Sequence, residues 1–240
     1  MAARNRIRPL VALRAMRRLG EDPDDTAQAI VVIAALAGNW SQRLLRRFRR
    51  SPRAEAILRA RRDLYAVLGD LEGLRALPAG SLGREIGAWF ARERIGTEGL
   101  AQAAAVARAQ LGSAPPEAGD EQVFLTRFMN LHDVVHVLTG YDRDLRGEAA
   151  VLAFTLAQSR SPGMAYIVLR VLLREGWGSE TGRLIRQGFR RGLRSAWLID
   201  QDWEALLVRP IAEVRSQLGI GEPPVYPQLR SPGAPALVAS

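Results

Sequence analysis

The chain has 240 residues, among them 34 arginines but no lysine, 25 acidic residues and no cysteine, giving a formal charge of +9. That length suffices for the core of one large domain or two small ones, and the lack of cysteine excludes disulfides and thiolate metal ligands. No apolar signal core with a small-residue cleavage site opens the sequence, so an intracellular protein is expected.

The first twenty residues hold arginines at 4, 6, 8, 14, 17 and 18 and no acid. Ile7, Leu10, Val11 and Leu19 are spaced as one apolar stripe, which predicts a basic amphipathic helix lying on an anionic membrane or packed on the core. Asp22 is the expected cap of the next helix, with Pro23 in its first turn and an end near Gly38 and Asn39. The uncharged stretch Thr26 to Gln42 is too short and too interrupted to span a bilayer, which takes about 20 apolar residues.

Residues 42–72 interleave leucine and arginine, with Leu44, Leu45, Phe48, Ile57, Leu58, Tyr65 and Leu68 as core candidates and Ser51-Pro52 as a break. The arginines at 43, 46, 47, 49, 50 and 53 crowd together but few aromatics lie among them, so nucleic acid is not an expected partner. The use of arginine alone reads as coding bias. The charge itself still draws the surface toward polyanions.

Ser81 should cap a helix through Trp89. Further helices are predicted over 97–110, from Glu121 to a stop at Gly140, from about Gly147 through Leu156, from Ser161-Pro162 to Arg174, and over roughly 179–192 and 200–218. No sustained period-two alternation signals a strand. The expectation is therefore all-α: a single-domain multi-helix bundle over 1–220, with a metal site between two consecutive helices and an apolar groove. A Pro-rich, loose tail is expected over 221–240.

The chain's two histidines sit four apart in LHDVVHVLTG. In a helix that spacing points His132 and His136 to one spot, and Asp133 lies only about 100° around. Glu148 opens the next helix, and a reversal at Gly140 returns it toward the histidines. His132, Asp133, His136 and Glu148 then form a set of two nitrogens and two carboxylates suited to Zn²⁺, Mn²⁺, Fe²⁺ or Co²⁺. Tyr141, Asp142 and Asp144 in the reversal are candidates to orient these ligands. The competing account makes them two core histidines, a solvent-facing Asp133 and an ordinary first-turn acid. It requires the only histidines to adopt ligand spacing by accident. The HExxH pattern does not apply, because aspartate follows the first histidine, and no upstream histidine completes a phosphohydrolase HD set.

HDxxH, eleven residues and a glutamate, within RFMNLHDVVHVLTGYDRDLRGEAAVLAF, resembles the signature of the ubiquinone biosynthesis proteins of the Coq-four type. The likeness extends to LRALPAGSLGREIGAWF and DWEALLVRPIAEVRSQLGI, and so covers nearly the whole chain. Val135 stands where that family usually has an aromatic, and IGAWF is less aromatic than its common form. The resemblance implies an all-helical protein that binds a polyprenylated hydroxybenzoate, replaces its C1 carboxylate by hydroxyl, and organises other ubiquinone biosynthesis enzymes. A divalent ion, Zn²⁺ first, would serve as cofactor, with Asp133 and Glu148 as the candidate catalytic residues. Met164, Ile167, Leu169 and Val171 of MAYIVLRVLL, with Tyr166 and Leu172, are candidates for a lipid groove. The implied location is the bacterial cytoplasm, peripheral on the inner membrane, or the matrix side in a mitochondrion. A non-catalytic lipid-binding scaffold is the alternative, and a second copy of the chain is a further candidate partner.

Overall fold

The structure is a computed structural model that describes residues 6–61, 63–114 and 119–231. The chain runs through α1 (Pro9–Glu21), α2 (Thr26–Leu36), α3 (Trp40–Phe48), α4 (Ala54–Ala60), α5 (Leu64–Gly69), α6 (Leu71–Ala76) and α7 (Leu82–Glu93). It continues through α8 (Thr97–Leu111), α9 (Asp120–Thr139), α10 (Leu145–Ser159), α11 (Pro162–Glu175), α12 (Glu180–Arg194), α13 (Trp203–Leu206) and α14 (Ile211–Leu218). A 3₁₀ turn covers Leu198–Asp200. Among the described residues the only β pairing is an isolated bridge between Ser81 and Pro210, so the fold is all-α as expected.

Local signals explain most boundaries. Ser81, Asp144, Ser161 and Ser179 each accept a backbone N–H in the first turn of α7, α10, α11 and α12, which satisfies one of the orphan donors there. Three boundaries differ from expectation. The cap of α2 is Asp25, whose carboxylate accepts from the Gln28 N–H at 3.3 Å, while Asp22 accepts from the Asp24 N–H and Pro23 stands in that turn. The region 42–72 is cut into short helices, since Asp63 and Asp70 each cap a new start. The run expected over 200–218 breaks before Ile211, because Pro210 lacks an N–H and cannot continue a helix.

Helix α9 is central and touches α3, α4, α5, α7, α8 and α10. Its main core includes Phe48, Phe90, Phe124, Leu138, Phe154 and Trp203. A second cluster joins α1, α2, α8 and α11 through Ala12, Ala15, Val32, Ala107 and Ile167. Alanines, not the expected stripe, seat α1: Val11 and Leu19 are half-buried, whereas Ile7, Leu10 and Leu13 point outward. Arg8 is exposed, yet its guanidinium ties α1 to the end of α8 by donating to the Leu111 carbonyl at 2.7 Å. Arg4 lies outside the described residues.

The expected loose tail is a strap as far as Ser231. The Tyr226 hydroxyl donates to Asp144 at 2.7 Å and accepts from the Asp142 N–H at 2.8 Å. The Leu145 N–H donates to Leu229 at 2.8 Å, and Arg230 pairs with the buried Glu93 at 3.1 Å. Proline removes local hydrogen bonding from this segment, but the polar groups of the α9–α10 turn supply partners from elsewhere. Residues 232–240 lie outside the described residues. No helix among the described residues is long and apolar enough to cross a membrane.

Candidate metal centre

The last two turns of α9 and the first turn of α10 bring His132, His136 and Glu148 together. The two Nε2 atoms are 3.2 Å apart, and each lies 3.4 Å from the same Glu148 carboxylate oxygen. Among the described residues this is the one group of three such side chains whose donor atoms fall within 4.8 Å of one another. A tetrahedral ion with bonds of about 2.0–2.1 Å has neighbouring donors about 3.3–3.4 Å apart, so the triad has the edge lengths of one face of such a site. The fit extends to tautomer. His136 Nδ1 donates to the Tyr141 carbonyl at 2.8 Å, which leaves the Nε2 lone pair of the neutral ring aimed at the triad.

Asp133 is buried and lines the same cavity, yet its carboxylate is not one of those clustered donors. Burial pushes its pKa up, and the nearby histidines pull it back only in part. Desolvation opposes charge on Glu148 too, but His136 and the hydrogen bonds from both histidines outweigh it and hold Glu148 well below the usual carboxylate range. Burial likewise disfavours protonated His136. The Glu148 charge and the Tyr141 carbonyl more than offset it, leaving His136 above its ordinary value. The one anionic and two basic groups thus attract one another without an ion present.

The triad is braced by residues that local sequence patterns do not reveal. Trp89 of α7 stacks on His136, with ring centroids 5.3 Å apart. Arg215 donates to the carbonyls of Leu138 and Val137 at 2.9 and 3.0 Å, and Arg191 donates to that of Thr139 at 2.9 Å. These are the orphan acceptors of the last turn of α9, and cations there also complement the helix dipole. Of the three residues expected to orient ligands, Tyr141 holds the His136 ring through its backbone carbonyl. Asp142 and Asp144 instead hold the C-terminal strap, Asp142 also pairing with Arg92. Gly140 closes α9 in the left-handed region at φ +71°, where a side chain is costly.

A cavity of about 1150 Å³ extends from the triad, larger than the ~300–1,000 Å³ of ordinary small-molecule sites. Its wall includes Met16, Ile33, Phe128, Met164, Ile167 and Val171, drawn from the zone between the two core clusters. Met164, Ile167 and Val171 therefore face the cavity as a groove requires. Leu169 does not; it is exposed on the opposite side of α11.

Fold and site define a helical protein in which a cluster of two histidines and a glutamate lines a large, mostly apolar chamber. Residues 10–224 match the family model of "Coenzyme Q (ubiquinone) biosynthesis protein Coq4", and the chain belongs to that family. It is 28% identical over 184 residues to the mitochondrial ubiquinone biosynthesis protein COQ4 of Paracoccidioides brasiliensis. It is 30% identical over 186 residues to the corresponding protein of Talaromyces stipitatus. Each match takes in 75% of this chain and only 60% of the relative's length. The crystal structure of a Nostoc punctiforme protein, named as a candidate ubiquinone biosynthesis protein, superposes with a TM-score of 0.61 at 21% identity. It covers 90% of this chain and 100% of its own, and shows the shared fold. The chain is thus a ubiquinone biosynthesis protein by family.

Proposed function

We propose that the chain performs a metal-dependent step at the head of a prenylated ring: replacement of the C1 carboxylate of a polyprenyl-hydroxybenzoate by hydroxyl, at a membrane surface. The observation that carries this reading is the meeting, in one cavity, of the His132, His136 and Glu148 donors with the apolar wall of Met164, Ile167 and Val171. A greasy tail needs that wall, and an anionic ring head needs a cation.

His132, His136 and Glu148 would hold the ion, with Zn²⁺ the first expectation and Mn²⁺, Fe²⁺ or Co²⁺ compatible with the same donors. When bound, it would supply Lewis acidity toward charge on the carboxylate or ring oxygen. His136, locked by the Tyr141 carbonyl and Trp89, keeps the donor set oriented. Asp133, buried and lining the same cavity, would hold or move a proton at the ring. Glu148 is the second candidate for that role. Loss of carbon dioxide with gain of hydroxyl removes two electrons from the ring, so a co-oxidant such as dioxygen takes part.

The test is release of carbon dioxide from a carboxyl-labelled prenyl-hydroxybenzoate by the purified, metal-loaded chain in air. Turnover that disappears in His132→Ala and His136→Ala supports the proposal. Binding of the labelled lipid with no release, even with partner enzymes added back, would assign the chain instead to scaffolding.

A further inference from the structure

Helices α11 and α12 are joined by a short turn and pack on one another through Val168 and Ile185, over Ala149 and Ala153 of α10. Outside that buried seam, Leu169 and Leu173 of α11 are 52% and 70% exposed, and Phe189 and Leu193 of α12 are 38% and 61% exposed. Each pair is spaced four apart, so each forms a row along its helix, and both rows lie on the side toward the seam. Trp177, in the connecting turn, is 66% exposed and carries the Arg186 guanidinium 4.7 Å over its ring. On the outer flanks run two rows of arginine: Arg170 and Arg174 on α11, and Arg186, Arg190 and Arg194 on α12. The layout is an apolar strip between two basic stripes, capped by an exposed tryptophan.

We infer that this face docks the protein on an anionic bilayer. An apolar strip with arginine edges and an interfacial tryptophan matches the layered chemistry of acyl chains below anionic headgroups. Charge argues against a second copy as occupant. Arg170, Arg186, Arg190 and Arg194 have no carboxylate partner among the described residues, so two such faces would press unpaired arginines together. Arg190 and Arg194, with Arg191 and Gln187, also line a shallow surface pocket of the kind a lipid phosphate fills through guanidinium donors.

The chamber gives the docking a purpose. Arg170 and Arg174 are part of its lining as well as of the basic stripe, and Met16, Leu19 and Gly20 of α1 lie on the same lining. Arg174 also donates to the Gly20 carbonyl. The chamber therefore opens beside the strip, and a tail can pass from the bilayer into the cavity without crossing water. This last point rests on the prenyl-lipid reading; the docking face does not.

The test is flotation of the full chain with phosphatidylcholine vesicles, with and without phosphatidylglycerol. Compared are the unaltered chain, Leu169→Ser/Leu173→Ser/Leu193→Ser, Arg170→Glu/Arg190→Glu/Arg194→Glu, and His132→Ala/His136→Ala. All the altered side chains of the first two variants are surface groups, and circular dichroism checks that helicity is kept. The expected result is flotation of the unaltered chain with anionic vesicles and a loss of roughly tenfold or more in both surface variants. The histidine variant should float normally, which separates failure of docking from failure of the decarboxylation reading. Surface variants that float like the unaltered chain would overturn the assignment. So would an unaltered chain that sediments as a dimer and becomes monomeric in the leucine variant, since the face would then belong to a second copy.

Discussion

Replacing Tyr226 by Phe removes one hydroxyl and leaves the ring. Burial, reinforced by Asp144, pushes this phenol well above its ordinary pKa, so it is a donor throughout the working range. Its oxygen makes two bonds, to the Asp144 carboxylate at 2.7 Å and from the Asp142 N–H at 2.8 Å. A hydrogen bond to a charged group contributes about 1.5–3 kcal/mol and a neutral one about 0.5–1.5. Tyr226 is half-buried and water can enter beside it, so the low end applies, about 2 kcal/mol. For a chain of this size each kcal/mol shifts Tm by about 2–4 °C, which predicts a fall of about 4–8 °C by differential scanning calorimetry. Amide exchange should accelerate at Asp142 and Leu145, whose N–H groups bond to Tyr226 and Leu229. The ring still packs near Tyr141, so no cavity confuses the result. An unchanged Tm with unchanged exchange at those amides would refute the idea that the strap holds the turn behind the triad. Gly147→Ala probes the same joint from the other side. Its Cβ would overlap the Asp142 carbonyl and crowd the Tyr226 hydroxyl, and the loss should exceed that of Tyr226→Phe.

Asp133→Asn should retain the ion, since Asp133 is outside the clustered donors, while lowering turnover by about 10²-fold or more if it moves a proton; elemental analysis alongside the labelled-carboxylate assay separates the two. Ile167→Trp should fill the groove and reduce co-purified prenyl lipid measured by mass spectrometry, whereas Leu169→Trp, facing outward, should not. In chelator-treated protein the raised His136 pKa stabilises the fold fully below the unfolded value of about 6.5, and that contribution fades as pH rises through the folded value. Urea unfolding should therefore show the His136→Gln difference shrinking at alkaline pH. Loading the ion should reverse the trend, because ligand histidines must be neutral.

The meeting of His132, His136 and Glu148 was legible because its information is local, although Asp133, expected among the donors, stands outside the cluster. A four-residue histidine spacing fixes two ligands on one helical face, and Gly140 followed by the Asp144 cap fixes the reversal that returns Glu148. The helix pattern was legible wherever caps stand next to apolar periodicity, as at Ser81 and Ser161. It failed where a short-range competitor intervened: Asp25 over Asp22, and Pro210 within an otherwise helical run. The exposure of Ile7 and Leu10 was not legible, since an apolar stripe does not say whether alanines on the neighbouring face pack more closely. Nor were the strap, the stacking of Trp89 on His136, or the Arg191 and Arg215 caps on α9. Each joins residues about 50 or more positions apart, and no local rule links them. Hydrophobicity alone points Leu169 into the groove. The angle around α11 puts it on the opposite side, where its neighbours are Leu173 and the arginine row.

The central claim is that His132, His136 and Glu148 form a metal site. Isothermal titration of Zn²⁺ and Mn²⁺ into the chelator-treated full chain, paired with elemental analysis of the protein as purified, tests it most directly. The account predicts one ion per chain, proton release on binding near neutral pH, and loss of binding in His136→Ala, His132→Ala and Glu148→Gln while circular dichroism reports an intact helical fold. A folded chain that takes up no divalent ion, or one whose uptake survives all three substitutions, would contradict it.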